Sequence, residues 1–189
     1  MGRHVSNLGH NGGPTLESGK SWRSHCWRQA RAALLPTLPI EAVRLRVRRA
    51  AEIGLDYKTY AGVRAATGHD IVAFLFSTNA LRLLAPRPVL SAARRARLAA
   101  ISDCGKIALA QAPLTGETVL TVAPVLHAAH PAPWALSTER ETRERLRAAL
   151  GKLPSDTVLL IGDTDLERGW MATGRLAGYV PADRFFAGI

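Results

Sequence analysis

Ile71-Val72-Ala73-Phe74-Leu75-Phe76 is an unbroken run of six apolar residues, and its conformation decides the fold of the chain. Such a run is buried, but a short apolar run is consistent with two kinds of element. It fits the start of a central core helix from about His69 to Leu84, or a buried strand. The preceding turn Thr67-Gly68-His69-Asp70 has a capping-box pattern, with Thr67 and Asp70 three residues apart, and it favours the helix.

Four other segments before residue 105 have the apolar spacing and the end signals of helices. They run from Ser21 to Leu35, from Pro39 to Gly54, from Tyr57 to about Ala66, and from Leu90 to Ser102. Residues 1–19 are rich in Gly and Asn and predict a flexible tail. Residues 20–104 are therefore expected to form a helical domain of four to five helices.

The charge of the chain is concentrated in this helical part. The formal net charge is +10, and residues 1–100 hold 16 of the 25 Lys and Arg residues but only 5 of the 15 Asp and Glu residues. A genome rich in G and C favours Arg over Lys, so part of this basicity has a compositional explanation. That bias does not explain why acidic residues are scarce in one half only, and a basic binding face is the alternative.

A basic face of this kind points to nucleic acid, because Arg–phosphate pairs supply most of the affinity for it. The candidate contacts are Arg44, Arg46, Arg48, Arg49, Lys58, Arg64, Arg94, Arg95 and Arg97. With the turn at Thr67-Gly68, the segment weakly resembles a helix-turn-helix domain. The helix expected after that turn is too apolar to read bases, so an acidic protein is an alternative partner.

Residues 113–189 differ in composition from the helical part that precedes them. Thr118–Ala123 and Thr157–Ile161 have strand composition, and the intervening segment Thr138–Leu150 has a helical capping box at Thr138 and Glu141. Turns are expected at Gly162-Asp163, Arg168-Gly169 and Thr173-Gly174. This part is predicted to be a β-rich domain with an inserted helix at 138–150.

The segments Thr157–Gly162, Gly169-Trp170 and Gly178–Phe185 together resemble the closing strands of an SH3-like barrel, over about residues 157–186. The resemblance implies a hairpin near Gly169-Trp170 and a final strand near Gly178-Tyr179-Val180-Pro181. In that family, exposed aromatic residues near these positions bind partners. The resemblance therefore makes Trp170 and Tyr179 candidates for contacting a protein partner, although both also suit core packing.

Catalytic signatures are weak. Asp163 and Asp165 follow a predicted strand and could hold Mg²⁺ and a phosphate, although an acidic hairpin turn is the alternative. Adjacent His25 and Cys26 point in different directions on a helix, so Cys26 is predicted to be a buried structural thiol. We expect no catalytic residue, no bound metal and no cofactor.

The sequence therefore predicts an α+β protein, with a basic helical bundle at 20–104 followed by an SH3-like domain at 113–189. The expected function is that of a non-enzymatic, nucleic-acid-associated regulator or adaptor, with a protein partner or a second subunit on the C-terminal domain. The alternatives are a protein-interaction module without nucleic acid and a small Mg-dependent phosphate-handling enzyme. No apolar run is long enough to span a bilayer and no signal peptide is evident, so a cytoplasmic location is expected.

Overall fold

A computed structural model describes residues 38–187, in which five strands form one sheet between layers of helices. In chain order the elements are α1 (Ile40–Glu52), α2 (Tyr57–Thr67), β1 (Ala73–Ser77), α3 (Ala92–Ala99), β2 (Gly105–Ala110), α4 (Gly116–Val122), β3 (Ala128–Pro131), α5 (Glu139–Leu150), β4 (Val158–Gly162), α6 (Asp165–Gly174), β5 (Gly178–Pro181) and α7 (Ala182–Phe185). A short 3₁₀ helix, Ser155–Thr157, leads into β4.

The strands lie in the order β3-β2-β1-β4-β5, and every neighbouring pair is parallel. In the register of the sheet, Ala73 of β1 is opposite both Gly105 of β2 and Val158 of β4. The chain builds outward from β1 to β3, returns to the other side of β1, and builds outward again. This is the doubly wound order of Rossmann-like α/β proteins.

The run that opens at Ile71 forms the central strand of this sheet. All five residues of β1 are buried, with Phe74 and Phe76 in the core on one face and Ala73 and Leu75 in the core on the other. The predicted helix from His69 to Leu84 is therefore wrong. A central strand of a parallel sheet is covered on both faces, so its sequence is continuously apolar and carries no alternation to identify it.

Two hydrophobic cores sandwich the sheet. Helices α1, α2, α3, α4 and α7 cover one face, which we call the first face, through residues such as Ile53, Tyr60 and Leu98. Helices α5 and α6 cover the second face through Leu146 and Trp170. The protein is thus a three-layer α/β structure, and the prediction of a helical bundle followed by a separate β-rich domain is wrong.

The SH3-like resemblance is overturned by the same topology. Gly169 and Trp170 lie inside α6 and do not form a hairpin, while β5 pairs in parallel with β4. The predicted strand Thr118–Ala123 is largely helix α4, because the Thr115 side chain accepts a hydrogen bond from Thr118 N at 3.2 Å and caps it. The β-branched Thr and Val residues of that segment predicted a strand, but composition alone does not determine its conformation.

The helix-turn-helix resemblance is also wrong, because no helix follows the turn. Gly68 ends α2 with a φ of 78° and donates its N–H to Arg64 O, after which the chain enters β1. The parallel α/β fold of residues 38–187 therefore contains neither a helix-turn-helix nor an SH3-like domain, and the expected regulator loses the support of both resemblances.

Several local predictions are confirmed. α5 begins at the capping box of Thr138 and Glu141, and the Glu139–Arg143 pair forms on its surface. None of the helices in the described range 38–187 is long and apolar enough to cross a membrane. The predicted tail at 1–19 and the helix from Ser21 to Leu35, with Cys26, lie outside that range.

Asp56 offers a pH-dependent test of the α2 cap. Its carboxylate accepts hydrogen bonds from Thr59 N at 2.9 Å and from Arg184 Nη2 at 3.2 Å. The Thr59 hydrogen bonds, followed by the Arg184 charge, hold the pKa of Asp56 below its usual value of 3.8. A carboxyl group with a lowered pKa in the folded state stabilises the protein above its unfolded pKa, and this stability is lost as the pH falls through the folded pKa.

We expect Asp56→Ala to lower the free energy of unfolding by about 1 kcal/mol at pH 7, and the deficit to shrink below about pH 4. Urea unfolding at several pH values measures this difference. Asp183→Ala, at an exposed position, is the control and is expected to change stability little. A deficit that stays constant down to pH 3 would contradict the assignment.

Candidate functional site

The carboxyl ends of the strands create two crevices. The chain leaves β1 and β2 toward helices on the first face, and leaves β3 and β4 toward helices on the second face. Neighbouring strands that are followed by a loop therefore send it to opposite faces at β1/β4 and again at β2/β3, whereas β5 runs directly into α7 on the first face. Ligands of open parallel sheets bind at such points, where divergent loops leave a space above the strand ends.

The crevice between β1 and β4 is bridged by side chains. Arg82, in the loop after β1, forms an ion pair with Asp163, in the loop after β4, with Nη1 and Oδ2 at 2.9 Å. Beneath this pair, Asn79 donates its side-chain amide to Glu167 Oε1 at 3.1 Å. These contacts join the two strand ends across the crevice.

Glu167 is the hub of this network and is fully buried. Its Oε1 accepts hydrogen bonds from Asn79 Nδ2 and from Gln111 Nε2, the latter at 2.6 Å. Its Oε2 accepts from the backbone N–H groups of Asp163, at 2.5 Å, and Thr164, at 3.1 Å. One carboxylate thus ties together the loops that follow β1, β2 and β4, with all four acceptor positions used.

The crevice between β2 and β3 remains open. A cavity of about 500 Å³ lies there, which we call the carboxyl-edge cleft. It is lined by residues of the loops after β2 and β3, by one residue of α5 and by one of α6: Ala110, Gln111, Ala112, Leu114, Pro131, Ala132, Pro133, Trp134, Ala135, Arg145 and Leu166. The volume suits a small organic molecule.

Trp134 and Arg145 give the cleft its chemical character. Trp134 is 61% exposed although it is a large aromatic residue, and its backbone N–H is held by Ser137 Oγ at 3.2 Å in the turn before α5. Arg145 donates to Ala132 O at 3.5 Å, and within residues 38–187 no carboxylate lies within salt-bridge distance of it. Glu141, one turn before it on α5, does not pair with it, because the Glu141 carboxylate turns back and accepts a hydrogen bond from Thr138 N.

The nine basic residues predicted to contact nucleic acid all lie on the first face of the sheet. Arg44, Arg46, Arg48 and Arg49 belong to α1, Lys58 and Arg64 to α2, and Arg94, Arg95 and Arg97 to α3. The structure therefore places both arginine clusters on the same layer of helices.

Arg44 pairs with Glu41 on the surface of α1, and four others of these nine side chains make contacts that link separate elements. Arg49 binds Asp70 and the carbonyls of Ile71 and Asp103, and Arg64 contacts Asp70 at 3.6 Å. Arg97 donates to Gly54 O at 2.7 Å. Arg94 lies 4.8 Å from the ring centre of Phe186, where burial lowers the pKa of its guanidinium. These four arginines hold the helices in place. Because their guanidinium groups are already engaged, they are less available to contact phosphate.

A second hollow of about 500 Å³ lies between α1 and α2. Its rim carries four arginines and two acidic residues: Arg46, Arg48, Arg49, Arg64, Glu52 and Asp70. We call it the arginine groove. Asp70 at its base also accepts a hydrogen bond from Tyr60 Oη at 2.8 Å, and burial followed by this bond raises the pKa of the Tyr60 hydroxyl.

The two aromatic candidates for a protein partner are placed differently. Trp170 is only 2% exposed and packs in the core of the second face, so it does not reach a partner in this conformation. Tyr179 is partly exposed, and the Arg168 guanidinium stacks 4.7 Å from its ring centre. Burial, and next the charge of Glu167, raises the pKa of the Tyr179 hydroxyl.

The acidic pair proposed for Mg²⁺ is not brought together. Asp163 faces Arg82, whereas the side chain of Asp165 is fully exposed and lies 3.5 Å from Arg168. Among residues 38–187, no group of three His, Cys, Asp or Glu side chains is arranged to hold a metal ion. Cys104 is buried, and this burial raises the pKa of its thiol to about 11.

Apart from Asp163, the residues that form the cleft and its network were not among the sequence candidates. Glu167 had a detectable signal, because Thr164 and Glu167 repeat the capping-box spacing that located α5. That box places a helix start directly after the strand at Val158–Gly162, which is a strand-to-helix turn. Gln111, Trp134 and Arg145 have no local signal, since only the sheet topology brings them to one cleft.

Comparisons with protein-family models, with curated proteins and with solved structures found no match to this chain. Of the two crevices of the sheet, one is bridged by side chains and the other is open.

Proposed function

We propose that the protein binds a small anionic molecule with a flat apolar part in the carboxyl-edge cleft. The observation that carries this proposal is an open crevice at β2/β3 beside a crevice at β1/β4 that is bridged by Arg82, Asp163, Asn79 and Glu167. The cleft lies at the carboxyl edge of the strands, the edge at which doubly wound sheets bind ligands.

The cleft walls support the chemical class. Trp134 offers an exposed aromatic surface for a flat ring, and Leu114 and Leu166 add apolar contacts. Arg145 is the cationic group of the cleft, and a guanidinium binds carboxylate or phosphate with paired hydrogen bonds. A pocket that is largely apolar, with a few polar groups to orient the ligand, is typical of small-molecule sites.

Binding of 1-naphthylacetate, a flat apolar carboxylate, tests this proposal. We expect saturable binding with a Kd in the millimolar range or tighter, about −4 kcal/mol, measured by calorimetry. Arg145→Ala is expected to weaken binding about 10-fold or more, because a charged hydrogen bond contributes about 1.5–3 kcal/mol. The uncharged 1-naphthylacetamide is expected to bind wild type and Arg145→Ala alike.

Arg147→Ala is the matched control, because Arg147 is exposed on the same helix but lies outside the cleft. It is expected to leave the affinity unchanged. Absence of saturable binding, or equal losses in Arg145→Ala and Arg147→Ala, would overturn the proposal.

A second candidate function is contact with the phosphate backbone of nucleic acid at the arginine groove. The common placement of all nine predicted basic residues on α1, α2 and α3 favours it. Exposed Arg48 and partly exposed Arg46 are the main candidates there. A protein partner for the C-terminal half and a cytoplasmic location stay predictions.

Salt-dependent binding of the full chain to duplex and single-stranded probes tests this second candidate. Each phosphate contact contributes about −0.9 to the slope of log K against log salt for duplex DNA. Removing both Arg46 and Arg48 is therefore expected to reduce the slope by up to about 2. Arg140→Ala, on a helix of the second face, should not change it. No binding at low salt would exclude the groove as a nucleic-acid site.

A further inference from the structure

Gln111 stands out in the carboxyl-edge cleft because its side chain is held in one orientation. Its Nε2 donates to Glu167 Oε1 at 2.6 Å, and its backbone N–H donates to Thr78 Oγ1 at 3.1 Å. Glu167 is fully buried, and its other oxygen is occupied by two backbone N–H groups. The amide nitrogen of Gln111 is thus fixed by a buried carboxylate, a group that can only accept hydrogen bonds.

This arrangement determines which atom of Gln111 can meet a ligand. Turning the amide by 180° would set its oxygen against the Glu167 carboxylate, and two acceptors repel each other. The nitrogen therefore stays on Glu167, which leaves the carbonyl oxygen as the acceptor of this amide and the second N–H of the nitrogen as its remaining donor. Within residues 38–187, no protein donor binds that oxygen. Gln111 lines the cleft and so presents an acceptor to it.

We infer that the ligand of the cleft is a heteroaromatic acid that carries a ring N–H or amino group, and that Gln111 selects it by accepting a hydrogen bond from that group. The inference rests on the proposed function and adds specificity to it. Trp134 would stack on the ring, Arg145 would bind the acidic group, and Gln111 would distinguish a donor-bearing ring from one without a donor. A ligand with an acceptor in that position would face the Gln111 oxygen unpaired.

A matched pair of probes tests the role of Gln111. Indole-3-acetate has a ring N–H, and 1-methylindole-3-acetate has the same ring and charge without it. Wild type is expected to bind the N–H probe about 3–10-fold tighter, the range that one neutral hydrogen bond supplies. In Gln111→Met the ratio of the two affinities is expected to fall to about one.

Asn79→Ala is the control, because Asn79 donates to the same Glu167 oxygen but does not line the cleft. It is expected to keep the wild-type ratio. Discrimination by wild type is measured without any variant, so the inference stays testable if Gln111→Met does not fold. Equal binding of both indole probes by wild type overturns the inference and leaves the proposed function intact. Failure of all three aromatic acids to bind overturns both.

Discussion

Replacing Glu167 with alanine is expected to lower the free energy of unfolding by about 3–5 kcal/mol, as the loss of a buried charged hub does elsewhere. The side chain is fully buried and accepts four hydrogen bonds. Alanine leaves the amides of Asn79 and Gln111 and two backbone N–H groups without their acceptor, and each unpaired buried donor costs about 1–3 kcal/mol unless water reaches it. Urea unfolding followed by circular dichroism measures the loss.

Two comparison variants separate the network from a simple loss of volume. Glu167→Gln keeps the shape but must direct its NH₂ group at one of the two donor pairs, so an intermediate loss of about 1–3 kcal/mol is expected. Glu144→Ala removes an exposed carboxylate that pairs with Arg140 and should cost at most about 0.5 kcal/mol. A loss for Glu167→Ala no larger than that of Glu144→Ala would show that the loops do not depend on this carboxylate.

How far the fold could be predicted depended on which signals are local. Helices α1, α2, α3 and α5 were predicted, because caps, glycine stops and helical spacing are carried by neighbouring residues. The strand Thr157–Ile161 was also predicted, and β4 lies within one residue of it. β1 and β2 were missed, because a strand buried on both faces is recognised by its neighbours in the sheet and not by its own pattern.

The wrong prediction of a helix at β1 explains the wrong prediction of a separate β-rich domain. If Ile71–Phe76 is a helix, the first half contains no strand that could pair with Thr157–Ile161. The later strand is then expected to belong to an antiparallel β-rich domain. Assigning β1 as a strand gives an alternation of strands and helices that predicts a parallel sheet. The crevices at its carboxyl edge, and with them Gln111 and Arg145, depend on that topology.

Phe74 and Phe76 provide the strongest test of the strand itself. Both are fully buried, their ring centres are 5.7 Å apart, and each packs on Phe185 of α7. We expect Phe74→Ala to lower the free energy of unfolding by about 3–5 kcal/mol, the usual range for a large aromatic residue removed from a core. Thermal or urea unfolding measures it.

A double-mutant cycle shows whether the run is strand or helix. In a strand, residues two apart share a face, whereas on a helix they lie about 200° apart. Phe74→Leu combined with Phe76→Leu is therefore expected to show a coupling of about 0.5–3 kcal/mol, because the two rings touch. Phe74→Leu combined with Leu75→Ala is the control: Leu75 lies in the core of the opposite face, so these two changes should add within about 0.5 kcal/mol. Additive effects for the two phenylalanines would favour the helix, and with the central strand lost, both crevices at the carboxyl edge would lose their basis.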